Sequence, residues 1–140
     1  MSDIVFENYS VQCKATIQSE AVAFLHEVAG EIVSQTQRNY DAARRVKTGE
    51  TKGSFRHEVD EGSLTATMGS AEENAIWEEF GTGIHAMNGD GRSTPWCYQD
   101  VATGKWYTTR GKTGHRPFFT AFEALKSRIQ ALAAERFGAI

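Results

Sequence analysis

Two cysteines, Cys13 and Cys97, are all that 140 residues contain, and neither belongs to a CxxC or Cys/His cluster. A cysteine-coordinated metal site and a disulfide scaffold are therefore not expected, and free thiols in a reducing compartment are the better reading. No apolar run approaches the ~20 residues that span a bilayer, so no membrane partner is expected. The opening "MSDIVFENYS" carries acids and polar residues where a signal peptide needs a basic start and an apolar core. That predicts a protein made and kept in a cytoplasm, or in something assembled there. An excess of basic charge is also missing: 15 Lys and Arg stand against 18 Asp and Glu, a net charge of -3. Tight nucleic-acid binding usually needs the opposite balance. Internal repeats and low-complexity segments are absent as well.

Catalytic signatures fail one by one. "RGKTG" at 110–114 lacks the earlier glycine of a phosphate loop, because Trp106 stands there. "NGDGRS" at 88–93 opens like a calcium loop, but Ser93 and Gln99 fill its sixth and twelfth positions. His26 and His57 are each followed by Glu with no second His four residues on, so the helical zinc motif is absent. His26 reads as a surface residue, His57 as a hydrogen-bonded core residue, and His85 and His115 as loop residues. No catalytic, cofactor-binding or metal residues are therefore assigned. An alternative stays open: a small hydrolase or nuclease using Glu78 and Glu79 as acid and base with His85, or a stand-alone binding module.

What is present is a pattern of elements. "IVF" at 4–6 fits a short strand, and Val11, Cys13 and Ala15 alternate with polar residues. From Ser19, the apolar residues Ala21, Phe24, Leu25, Val28 and Ile32 recur at helical spacing. One long helix is predicted over 19–45, its second half only partly covered. Gly30 inside it points to close packing or weakness. Phe55, His57 and Val59, then Leu64, Ala66 and Met68, alternate across "DEGS" and predict a hairpin. "ENAIWEEFGTG" fits a short helix capped by Asn74 and ended by Gly81, with a strand left open; Trp77 and Phe80 are expected to pack on the core. "PWCYQD" and "KWYTTRG" predict a second hairpin, with Trp96 and Tyr98 on one face of the first strand. Pro117 opens a last helix whose Phe118, Phe122, Leu125, Ile129 and Leu132 make one stripe. The sum is one α+β domain over 1–140: an antiparallel β-sheet of two hairpins packed against two long α-helices, with a short helix between and an aromatic hairpin protruding at about 84–114.

Two further features bear on partners. Glu72–Glu73 and Glu78–Glu79 predict an acidic edge, and Arg110, Lys112, His115 and Arg116 a basic one; opposite patches on one subunit suit head-to-tail rings. Trp96, Tyr98, Trp106 and Tyr107 load the second hairpin with residues that dominate interface energetics. Two readings stay open there, a docking arm and a pair of cross-strand core tryptophans, with a base-stacking platform as a third.

Four short motifs then fall in one order: "VKTGETKGSF", "NAIWEEFGTG", "GRSTPWCYQD…GKWYTTRG" and "RPFFTAFEAL". Together, over roughly 20–130, they resemble the tail-component family of long-tailed bacteriophages, the tail-completion or head–tail joining proteins. The matching positions are Thr48 and Gly49, then Phe80, Gly81, Thr82 and Gly83 after Glu79, then Pro117 and Phe118. The chain departs at "RRVKTG", where the family usually has a proline, and at Phe119-Thr120-Ala121, where it commonly has Arg-Pro-Ala. The resemblance implies an α+β fold without catalysis and a ring of copies, most often six, at the upper end of the tail. Its neighbours would be the tail tube or tail terminator protein below and the head connector or adaptor above, with DNA passing through the lumen without specific binding. Location in the virion, after assembly in the host cytoplasm, follows from the same resemblance.

Overall fold

The computed structural model describes residues 4–5, 7–46 and 49–138. Its elements run α1 (Ser10–Ala42), α2 (Glu50–Gly53), β1 (Arg56–Asp60), β2 (Thr65–Gly69), α3 (Glu73–Phe80), a 3₁₀ turn (Gly83–His85), β3 (Trp96–Gln99), β4 (Trp106–Thr109) and α4 (Pro117–Phe137). The α+β class is as expected. The two hairpins, however, form two separate two-stranded sheets rather than one.

α1 starts nine residues before the expected position and absorbs Val11, Cys13 and Ala15, whose alternation had read as extended. Nothing at 10–29 breaks a helix, and Ser10 N donates to Asn8 Oδ1 as the chain turns in. Val28 and Ile32 are buried and the stretch beyond Val33 is partly covered, as expected, but the added N-terminal turns have no buried face. Residues 10–20 are all exposed, while Val28, Ala29, Ile32, Val33, Thr36 and Tyr40 are buried. The cause is α4, which lies antiparallel to the second half of α1. Asn39 donates to the Pro117 carbonyl at 2.9 Å, Arg128 forks onto Glu31 at 3.0–3.1 Å, and Arg136 reaches Glu27.

β1 and β2 pair with His57 opposite Met68 and Val59 opposite Ala66, so one face of the hairpin meets α1 as the alternation requires. Asp60 Oδ1 holds the turn by accepting from the backbones of Gly62 and Ser63. The core has two lobes, Val33, Tyr40, Phe55 and Ala75 in one and Val28, Ile32 and Ala121 in the other. Met68 and Phe118 touch both. Pro117 does open α4. The inward stripe of α4 is Phe118, Ala121, Leu125 and Ile129; Phe122, expected there, faces out, because Ala121 takes the tightest point against α1.

Candidate functional site

α3 is turned inside out. Its spacing puts Ala75, Glu78 and Glu79 on one face, three and four residues apart, and Ile76, Trp77 and Phe80 on the other. The acids go inward: Glu78 is 2% exposed and Glu79 9%. Trp77 and Phe80, expected to pack on the core, are 43% and 39% exposed. Asn74, expected to cap α3, lies inside it, with Glu72 at the cap position, while Gly81 does end it.

Each carboxylate has a structural reason to be inside. Glu79 accepts hydrogen bonds from the backbone N–H of Phe118 and of Phe119, both at 3.0 Å. Those are orphan donors of the first turn of α4, whose N-cap, Arg116, has φ 51 and gives no side-chain cap. A carboxylate from another helix thus caps α4 and meets the positive end of its dipole. Glu78 collects cations: Lys112 Nζ on Oε1, and Arg45 Nη1 at 3.4 Å from Oε2. Arg45 Nη1 also donates to the Thr113 carbonyl at 2.7 Å. Arg116 lays its guanidinium over the Phe119 ring, 3.8 Å from the centroid.

The expected acidic edge is corrected at two positions: Glu73, like Arg110 of the basic run, is exposed, but Glu78 and Glu79 are buried and form no solvated or partner-facing border. Glu78 and Lys112 are partners in one subunit. They meet each other within the protomer because the base of the second hairpin folds back over α3.

The hydrolase constellation is also not assembled. His85 is exposed on its 3₁₀ turn. The histidine beside Glu78 is His115, with Nδ1 2.9 Å from Oε2, at an angle that makes no hydrogen bond; neither ring nitrogen has a hydrogen-bond partner. A carboxylate held by two cations and closed to solvent is a poor general base. Burial first, and the charges of Arg45 and Lys112 next, hold His115 down at about 4. Folded His115 therefore stays neutral while the unfolded imidazole protonates near pH 6.5. Stability is fully present above that pH and is lost as pH falls toward 4. Urea melts should show about 1 kcal/mol less stability at pH 5.5 than at pH 7, with the slope removed by His115→Leu. An equal slope in that variant would reject the assignment. Tyr40, edge-on to the His115 ring at 5.4 Å, carries a buried hydroxyl without a hydrogen-bond partner. Burial, helped by the Glu79 charge, pushes it up to about 12.

The sequence motif Gly81-Thr82-Gly83 is the socket of this junction. Thr82 N donates to Lys112 O at 2.8 Å, Ile84 N to Arg110 O at 3.0 Å, and Lys112 N to Thr82 Oγ1 at 3.0 Å. Gly83 and Gly111 make that approach possible: a Cβ on Gly83 would sit 2.0 Å from Arg110 O, and one on Gly111 would sit 2.1 Å from Thr82 O. "RGKTG" is thus the other half of the motif, a role that its glycine spacing hinted at and the sequence reading missed. In the "KTG" motif, Gly49 takes φ 80 ahead of α2; Thr48 lies outside the described residues.

From this socket rises the finger, β3 paired with β4. Trp96 is opposite Thr109, Tyr98 opposite Tyr107 and Gln99 opposite Trp106. Trp96 and Trp106 are therefore not cross-strand partners, and neither is a core residue. Only the basal pair Trp96 and Thr109 is half-buried; the other strand residues are exposed, Trp106 by 68%. Asp100 shapes the tip by accepting from Ala102 N and Thr103 N. The finger's inner face, through Trp96 and Tyr98, borders an open groove of about 1160 Å³ whose other walls include Tyr40, Trp77, Phe80 and Lys112. Arg92 stands over the Trp96 ring at 5.7 Å.

Both cysteines are free and exposed. Among the described residues, no group of three or more His, Cys, Asp or Glu could hold a metal ion, and no helix is long and apolar enough to cross a membrane. No protein-family model, no curated protein and no solved structure matches this chain.

Proposed function

We propose that the chain is a virion structural subunit of a long-tailed bacteriophage, a tail-completion or head–tail joining protein that closes into a ring between the tail tube and the head connector. The family reading rests on the four ordered motifs. The ring reading is carried by one observation: a protomer of this size leaves Trp106, Tyr98 and Tyr107 exposed on a finger that is anchored only at its base. Trp and Tyr bury large area at small entropic cost and concentrate at interface centres.

A second apolar surface, Ile76, Trp77 and Phe80 on the outer face of α3, supports head-to-tail contact. Heterologous interfaces join two different patches, and closure of the rotation gives a ring. In this mechanism the contact between copies is apolar and aromatic, and the charges stay inside each subunit. The tail tube or terminator and the head connector would meet the ring's two ends, with DNA passing unbound. No chemical turnover is assigned to the subunit.

Trp106→Ala tests the proposal. Its exposed side chain adds nothing to the core, so the melting temperature should hold while self-association, followed by light scattering and native mass spectrometry, weakens about thirtyfold or more. Electron microscopy of wild-type protein mixed with tail tubes should show an annulus at the tube end. A strict monomer that never joins a tube would reject the reading.

A further inference from the structure

We propose that His26 and His57 form a two-point site for a borderline transition-metal ion of the zinc class, clipping α1 to β1. The proposal is independent of the assembly reading. His26 Nδ1 lies 3.3 Å from His57 Nε2, with the rings edge to face at 5.5 Å. Expected at the surface and in the core respectively, His26 and His57 meet at the boundary, His26 exposed and His57 half-buried. His57 projects from the helix-facing side of β1 over Gly30, its Cε1 3.9 Å from where a Cβ there would stand. Gly30 is one turn beyond His26, so the bare backbone seats one ring beside the other.

Two ring nitrogens so placed share one N–H···N hydrogen bond, or hold one cation. With Zn–N bonds of about 2.0–2.1 Å, a tetrahedral ion sets neighbouring ligand nitrogens about 3.3 Å apart. The observed separation therefore needs no backbone movement. In the shared hydrogen bond one facing nitrogen carries the proton. When the metal binds, that ring passes it through water to its own far nitrogen, so His26 Nε2 and His57 Nδ1 each hold one proton and both facing lone pairs go to the metal. No net proton is released and no oxidation state changes. On the open side, a pocket of about 590 Å³ lined by His26, Glu27, Gly30 and Glu31 leaves room for waters to complete the shell. Glu27 and Glu31 are engaged by Arg136 and Arg128. Two imidazoles without a third protein ligand select zinc, nickel or copper over magnesium and calcium, which require oxygen. The clip sits where α1 leaves its cover, just ahead of buried Val28.

The test uses the untagged full chain with Cys13→Ser and Cys97→Ser, because exposed thiols would take up the same metals. Zinc chloride in large excess should raise the melting midpoint by about 5 °C, and magnesium chloride should not. Calorimetry should count one zinc per chain. His26→Ala, a change at an exposed position, should fold normally and lose the zinc shift; His57→Gln should lose it too. Should His57→Gln fail to fold, His26→Ala alone decides. No shift with zinc, or a shift that survives His26→Ala, would overturn the proposal.

Discussion

Glu78→Ala lowers folding stability by about 3 kcal/mol, and Glu78→Gln by nearly as much, although neither removes apolar packing of any size. The carboxylate is closed to solvent and stands between Lys112 and Arg45. Its own desolvation is already offset by those two partners, so the pair adds little net stability while intact. Removing the anion is different, since Lys112 and Arg45 are left crowded over one site beside the unpaired nitrogens of His115. Both cations are partly exposed, at 41% and 31%, and can turn toward water, which keeps the loss at the lower end of the range for broken buried pairs. The Lys112→Met variant with Glu78→Gln separates the two contributions: taking away one cation with the anion should recover part of the loss. Urea denaturation of the four proteins of that cycle measures it. A Glu78→Ala protein within 0.5 kcal/mol of wild type would mean that the carboxylate is incidental.

The inside-out α3 also marks the limit of what the sequence discloses. Elements set by local pattern were legible. Pro117 with Phe118, Leu125 and Ile129 gave α4, and the alternation of His57 and Val59 with Ala66 and Met68 gave the first hairpin and its apolar face, although Leu64, expected in that row, sits in the turn at φ 51 and is exposed. Gly81 gave the end of α3. Positions fixed by partners far along the chain were not legible. Glu78 is held from 33 and 34 residues away, and Glu79 caps a helix 39 and 40 residues on. A carboxylate's residue type favours exposure, and only the topology reveals that two cations and a bare helix terminus await it. The exposed first turns of α1 failed for a related reason. They have no buried face, so periodicity had nothing to report, and the absence of breakers was the only clue. The finger lay between these cases: its strands were readable and it was expected to protrude, but the close approach of Gly83 and Gly111 that seats it was not.

Gly83→Ala dislodges that finger and costs about 4 kcal/mol. Two penalties coincide there. The backbone angle, φ +60, lies in the left-handed region, which costs a residue with a Cβ about 1 kcal/mol. The new carbon would also sit 2.0 Å from Arg110 O and 2.7 Å from Arg110 C, which are backbone atoms rather than a mobile side-chain end. Arg110 O cannot retreat without releasing Ile84 N, and the neighbouring Thr82–Lys112 bonds tie the same two segments. The segments must separate, and β3 and β4 lose their footing together. Gly89→Ala supplies the control. Its φ is +70, yet nothing lies within 4 Å of an added Cβ, so only the conformational penalty of about 1 kcal/mol applies. Limited proteolysis should cut the Gly83→Ala protein between 86 and 110 while α1, α4 and the first hairpin stay resistant, because their core does not include the finger. Self-association should fall with it, since the same finger presents Trp106. Equal stabilities for the Gly83 and Gly89 variants would mean that close approach of the two backbones does not hold the finger in place.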